Sequence, residues 1–212
     1  MSISTAQGQR QRYRGTYDDA FYWERVDRNL GWLGNTAEEQ RDRQELLRDA
    51  VIGVVGTGGI GGAVAARLVS MGALNLKLAD PDHFDLSNVQ RQYGAGKDTI
   101  GRNKAEVVAE KIYALTGDVN IDVYPEGITP ESAEEFMNGC DYVMDQMEFF
   151  QIKNRYALHR ASGPRTGAGS CSRSRPSHTP PSSSPTPTTP CRSRRSMDFP
   201  RTPSSPQRSH DA

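Results

Sequence analysis

Three cysteines, at 140, 171 and 191, stand in 212 residues, and no two of them form a CxxC pair. A disulfide framework needs paired cysteines and a structural zinc site needs close pairs, so neither reading holds. No stretch approaches the roughly 18 consecutive apolar residues that a membrane helix requires. Residues 1–14 are polar and lack an apolar core segment, which argues against a secretory signal and makes a cytoplasmic location the expectation. Net charge is also missing: 26 basic residues balance 26 acidic ones, so the chain as a whole does not read as a nucleic-acid binder.

That neutrality averages two unlike materials. Residues 165–212 contain no Leu, Ile, Val, Lys or Glu and carry a net charge of +6, leaving −6 for residues 1–164. Ser, Pro, Arg and Thr make up 35 of those 48 residues. Such a stretch cannot bury enough apolar surface to offset an ordering entropy of roughly 1–2 kcal/mol per residue. It is expected to be disordered, and its abrupt onset just after a helix suggests a shifted reading frame. Its Arg/Ser runs, Ser172–Arg175 and Arg192–Ser196, resemble RNA-binding segments but rank behind that explanation.

The remaining chain alternates strand and helix. Residues 1–16 are expected to lack order, and 17–50 form a helical arm. That arm has one helix over about 18–30, broken by Gly31 and Gly34, and a second opened by a Thr36/Glu39 capping box. From 51 to 164 the pattern predicts strands at 51–55, 74–78, 119–124 and 141–144. Helices lie between them, over 60–71, 103–116 and 131–138, and a last one over 151–161. The fold class this predicts is α/β. It is a Rossmann-like, mostly parallel sheet with flanking helices, truncated after its fourth strand and followed by the disordered Ser/Pro/Arg-rich tail.

Chemistry concentrates between residues 56 and 104. Gly-Thr-Gly-Gly-Ile-Gly follows the first of these strands and opens a helix, the context a phosphate-binding glycine turn needs. Gly56 permits the tight turn, Gly58 and its neighbour Gly59 let backbone approach phosphate, and Gly61 lets helix pack on strand. Asp80 ends the next strand and is placed to accept hydrogen bonds from ribose hydroxyls, which suits ATP and NAD equally. Asn88, Arg91 and Gln92 follow on a loop at the carboxyl edge of the sheet. Hydride transfer has no use for an arginine aimed at phosphates, whereas departure of pyrophosphate does.

The segments Gly56–Gly61, Asp80-Pro81-Asp82, Asp85-Leu86-Ser87-Asn88-Val89-Gln90-Arg91-Gln92 and Gly101-Arg102-Asn103-Lys104 together resemble the ThiF/MoeB family. This is the adenylating superfamily that includes ubiquitin-activating enzymes, and the resemblance covers about 25–162. It implies ATP and Mg2+ as cofactors. It also implies adenylation of the C-terminal carboxylate of a ubiquitin-like or small sulfur-carrier-type protein, in a homodimer. Asp80 would then hold the ribose, Asn88 and Arg91 the phosphates, and Lys104 the reacting phosphate. Arg28 would reach the partner subunit's triphosphate, although Asn29 stands where the family has Gln. The family's Asp-x-x-Asp metal motif appears as Asp145-Gln146-Met147-Glu148, making Glu148 the expected metal carboxylate and Asp145 the less certain one.

Departures from the family pattern leave the activity of this chain open. The later catalytic cysteine and the paired zinc cysteines have no counterpart, and Cys140 reads as a small core residue. His83, His159, His178 and His210 show no ligand spacing and read as structural or surface residues. The competing functions are an NAD-dependent oxidoreductase and a noncatalytic module that keeps the nucleotide fold as a binding surface.

Overall fold

The computed structural model describes residues 10–148 and 150–162 in full and the backbone of 171–173. The elements in chain order are β1 (Arg12–Tyr13), α1 (Asp19–Leu33), α2 (Ala37–Asp49), β2 (Val51–Val55), α3 (Gly61–Ser70) and β3 (Asn75–Ala79). A short 3-10 turn, Leu86–Asn88, precedes α4 (Lys104–Thr116), β4 (Asn120–Tyr124), α5 (Ala133–Met137), β5 (Tyr142–Asp145), α6 (Ile152–Ala161) and β6 (Cys171–Arg173). They build one sheet of order β1-β4-β3-β2-β5-β6. The four central strands pair in parallel and the two outer ones antiparallel. The expected α/β architecture, a mostly parallel sheet with flanking helices, is therefore present.

Alternation along the strands sets the layers. Ile52, Val54, Leu76, Leu78, Ile121 and Val123 face α3 and α4 and form the larger core. Val55, Ala79, Tyr124 and Val143 face the other way, onto Phe136 of α5 and Leu158 of α6. Both faces of the central strands are covered, the usual condition of a parallel sheet. Among the described residues, no helix is long and apolar enough to cross a membrane.

The sheet order decides where a ligand can bind. After β2 the chain moves outward through β3 and β4 on one side, then returns to place β5 on β2's other side. Loops leaving the carboxyl ends of β2 and β5 consequently part in opposite directions, opening the crevice where open α/β sheets hold their ligands.

Two expectations needed correction. Helix α1 does not break at Gly31 but runs to Leu33, where Arg43 of α2 donates to the Leu33 carbonyl. A glycine inside a helix costs about 1 kcal/mol. The tertiary anchors of α1 outweigh that cost: Asn29 Nδ2 donates to the Met71 carbonyl at 2.8 Å, and Tyr22 is fully buried. The predicted lack of order over 1–16 does not hold for 10–16. There β1 adds to the β4 edge, Arg14 meets Asp122 at 2.8 Å, and Arg10 pairs with Glu126 and Glu135. These contacts are ionic and made through the strand edge, so hydrophobic pattern could not reveal them. The expectations for residues 1–9 and for the tail lie outside the described residues, apart from the backbone of the short strand β6.

Candidate functional site

The glycine turn connects β2 to α3. Gly56 takes φ +91°, a left-handed conformation, and a Cβ there would lie 2.4 Å from the Gln146 carbonyl oxygen. A Cβ on Gly61 would come within 1.8 Å of the Gly56 carbonyl, so only glycine lets α3 start this close to the strand. Gly58 and Gly59 are open by comparison, with just the side chains of Gln92 and Arg91 nearby. Helix α3 has no side-chain cap. The N–H groups of Gly58, Gly59, Ile60 and Gly61 donate to no described residue, leaving a positive backbone rim at a helix start.

Asp80 stabilises this turn. Its Oδ2 accepts from the Thr57 N–H at 2.6 Å and the Thr57 hydroxyl at 3.1 Å, and its Oδ1 accepts from the Asp82 N–H at 3.0 Å. Burial pushes its carboxyl above the ordinary carboxylate range, opposed by the hydrogen bonds from the Asp82 and Thr57 backbone. A carboxylate offers about four acceptor positions. Three are engaged within the protein, which leaves one, on Oδ1, open.

Asn88 has a structural role. It is 6% exposed, and its Oδ1 accepts from the Asp85 N–H while its carbonyl receives the N–H groups of both Arg91 and Gln92. It shapes the turn that presents those two side chains and does not itself line the cleft. Arg91 is exposed, its guanidinium lying beside Gly59 with one bond to the Ser87 carbonyl. Gln92 lies over Gly58, and its Oε1 is buried without a hydrogen-bond partner. An amide in that state is free to turn either end toward a ligand.

Lys104 opens α4. Asn103 caps that helix, and its Nδ2 also reaches the carbonyls of Asp80, Asp82 and Pro125. The Lys104 ammonium is 3.2 Å from Asp82 Oδ2, with the lysine side chain 10% exposed and the aspartate 52%. Lys104, Asp80, Gln92 and Glu148 line a single cleft with Gly56, Gly58 and Gly59. Arg28 is not among them. It is exposed on α1 and makes no hydrogen bond to a described residue.

The two carboxylates after β5 differ in situation. Asp145 is closed off: Arg155 Nε and Nη2 donate to it at 2.7 and 3.2 Å, His159 Nε2 lies at 3.0 Å, and the Met147 N–H donates at 3.1 Å. Glu148 is exposed on the cleft wall. No group of three His, Cys, Asp or Glu able to hold a metal occurs among the described residues. Mg2+ is commonly held by one or two carboxylates together with substrate phosphates. One free carboxylate beside a phosphate cradle fits a cation that arrives with a triphosphate.

Against this geometry, the model of the ThiF family matches residues 26–165, more than half of the chain. The chain belongs to the ThiF family. ThiF relatives include a tRNA threonylcarbamoyladenosine dehydratase of Haemophilus influenzae, 34% identical over 53% of this chain and 43% of that protein. They also include a sulfur carrier protein adenylyltransferase of Thermus thermophilus, 33% identical over 56% and 43% respectively. Among solved structures, the ATP complex of the Escherichia coli tRNA N6-threonylcarbamoyladenosine dehydratase TcdA matches with a TM-score of 0.59 and 30% identity. That match covers 66% of this chain and 55% of TcdA. The chain spans less than half the length of the two curated relatives.

Thr57, Asn103, Arg155 and His159 were not singled out as site residues. Thr57 sits inside the glycine motif and Asn103 reads as a helix cap, so a local signal existed for both. Arg155 and His159 lie ten and fourteen positions beyond Asp145 on a different element, and no local pattern connects them to it.

Proposed function

We propose that this chain carries the nucleotide-binding half of an ATP-dependent adenylyltransferase. The observation that supports the reading is the rim of undonated N–H groups at Gly58–Gly61, facing a cleft lined by Lys104 and Gln92 and flanked by Arg91. A triphosphate laid on that rim meets backbone dipoles from below and two cations from the side.

Adenylation asks for no protein nucleophile. The acceptor's carboxylate oxygen attacks the α-phosphorus, a new P–O bond forms, and the bond to the bridging oxygen breaks as pyrophosphate leaves with the electron pair. Lys104 and Arg91 stabilise negative charge that grows on the phosphate oxygens, and Asp80 orients the ribose. Glu148, together with the phosphates, would hold Mg2+, which would supply further charge neutralisation. Arg28, exposed and unpaired on α1, is available to a partner subunit's triphosphate in a homodimer.

The acceptor proposed is the C-terminal carboxylate of a ubiquitin-like or sulfur-carrier protein. The likeness to threonylcarbamoyladenosine dehydratases favours a second acceptor, because a threonylcarbamoyl group on a nucleoside also presents a carboxylate. ATP–pyrophosphate exchange separates the two: the true acceptor stimulates exchange and the other does not. A positioned arginine in related phosphoryl chemistry is worth about 10³–10⁵ in rate. Arg91→Ala and Lys104→Ala are accordingly expected to lower exchange at least about a hundredfold, and wild-type exchange in either variant contradicts the assignment.

A further inference from the structure

Asp145 is the other carboxylate of the expected metal motif, and it is fully engaged. Its Oδ1 accepts from Met147 N–H and Arg155 Nη2, and its Oδ2 accepts from Arg155 Nε and lies against His159 Nε2. The same Arg155 Nη2 also donates to the Met147 carbonyl at 2.6 Å. Met147 is thus held at both its N–H and its C=O by one Asp–Arg unit. On either side, Gln146 N–H donates to the Val55 carbonyl at 2.8 Å, and the Glu148 carbonyl accepts from Gln151 N–H at 3.1 Å. The backbone around Glu148 is thus tied to β2 on one side and to the start of α6 on the other, and α6 supplies the side chains that brace it.

We infer that Arg155 and His159 of α6 are positioning residues for the metal carboxylate: together with Asp145 they lock the Gln146–Glu148 loop so that Glu148 faces the phosphate cleft. The inference rests on the proposed ATP–Mg2+ reading of the site. A guanidinium suits the task because its rigid planar fork holds a carboxylate and a carbonyl in a fixed mutual geometry. His159 closes the remaining side of Asp145 from one turn further along the helix. The arrangement also accounts for glutamate at position 148. With Asp145 withdrawn into the clamp, a single longer carboxylate serves the cation.

The test measures ATP binding to the full chain by calorimetry, once with Mg2+ and once with EDTA, so that the readout is the increment in affinity due to the metal. Glu148→Ala is expected to abolish the increment. Removing groups that orient a metal ligand typically costs about 10–100-fold in metal affinity. Arg155→Gln, at a residue outside the cleft lining, is therefore expected to reduce the Mg2+ increment about tenfold. His159→Asn, at a side chain 40% exposed, is expected to reduce it severalfold, and it decides the matter should Arg155→Gln fail to fold. A full increment in His159→Asn, or in a folded Arg155→Gln, overturns the clamp. Absence of any increment in the wild type, or its survival in Glu148→Ala, overturns instead the assignment of Glu148 on which the clamp depends.

Discussion

Gly56 and Asp80 show how far a single residue can be read before its surroundings are known. The positive φ of Gly56 is foreseeable, since a strand turning sharply into a helix needs a residue without a Cβ. The engagement of Asp80 by Thr57 is not, because it depends on two side-chain conformers meeting behind the turn. Cys140 is a similar case: its place just before a strand suggests a small core residue, and it is 1% exposed with its thiol donating to the Phe136 carbonyl. Burial pushes that thiol up to about 11 from an ordinary value near 9. Between those values the unfolded chain has released the proton while the native one keeps it, so stability falls as pH rises through this window and is intact below it. Two pKa units correspond to roughly 3 kcal/mol at most. Chemical denaturation at pH 8.5 and 11 is expected to show the wild type losing more stability than Cys140→Ala, and equal losses refute the assignment.

At the scale of elements, the signals that proved legible were local. Thr36 caps α2 through the Glu39 N–H, Asn103 caps α4 through the Glu106 N–H, and Gly117 ends α4 in the left-handed conformation. Each needs only residues within a turn of one another, which is why spacing alone reveals them. Docking of α1 is different. Arg25 forms a bidentate pair with Asp118 and also donates to the Val69 carbonyl, joining residues 93 and 44 positions apart. The Asp118 side chain is 1% exposed, so Arg25→Ala leaves a buried charge without its partner. Breaking such a pair costs about 3–5 kcal/mol, whereas replacing both members by apolar residues of similar volume is nearly neutral. Thermal denaturation is expected to show a large drop in Tm for Arg25→Ala and recovery of most of it in Arg25→Met/Asp118→Leu. A small drop in the single variant would mean that α1 is held chiefly by its other contacts, through Tyr22, Val26 and Asn29.

For the molecule as a whole, ligand binding and folding are linked. The glycine turn, the Asn88 turn and the loop after β5 come together only in the native state, so a nucleotide that bridges them stabilises it in proportion to RT ln(1 + [L]/Kd). ATP at about a hundred times its Kd is expected to add close to 2.7 kcal/mol and raise Tm by several degrees. NAD at the same concentration is expected to add nothing comparable, and the opposite order would restore the oxidoreductase reading. The positions of the four central strands and of most helices, the glycine turn, the cations of the loop and membership of the ThiF family were all contained in the amino-acid order. Each rests on periodicity or on motif spacing within a few tens of residues. The β4-β3-β2-β5 order that opens the crevice, the β1 strap, the withdrawal of Asp145 behind Arg155 and the separation of Arg28 from the cleft arose from folding. They depend on which distant surfaces meet, and long-range contact leaves no periodic trace in the chain.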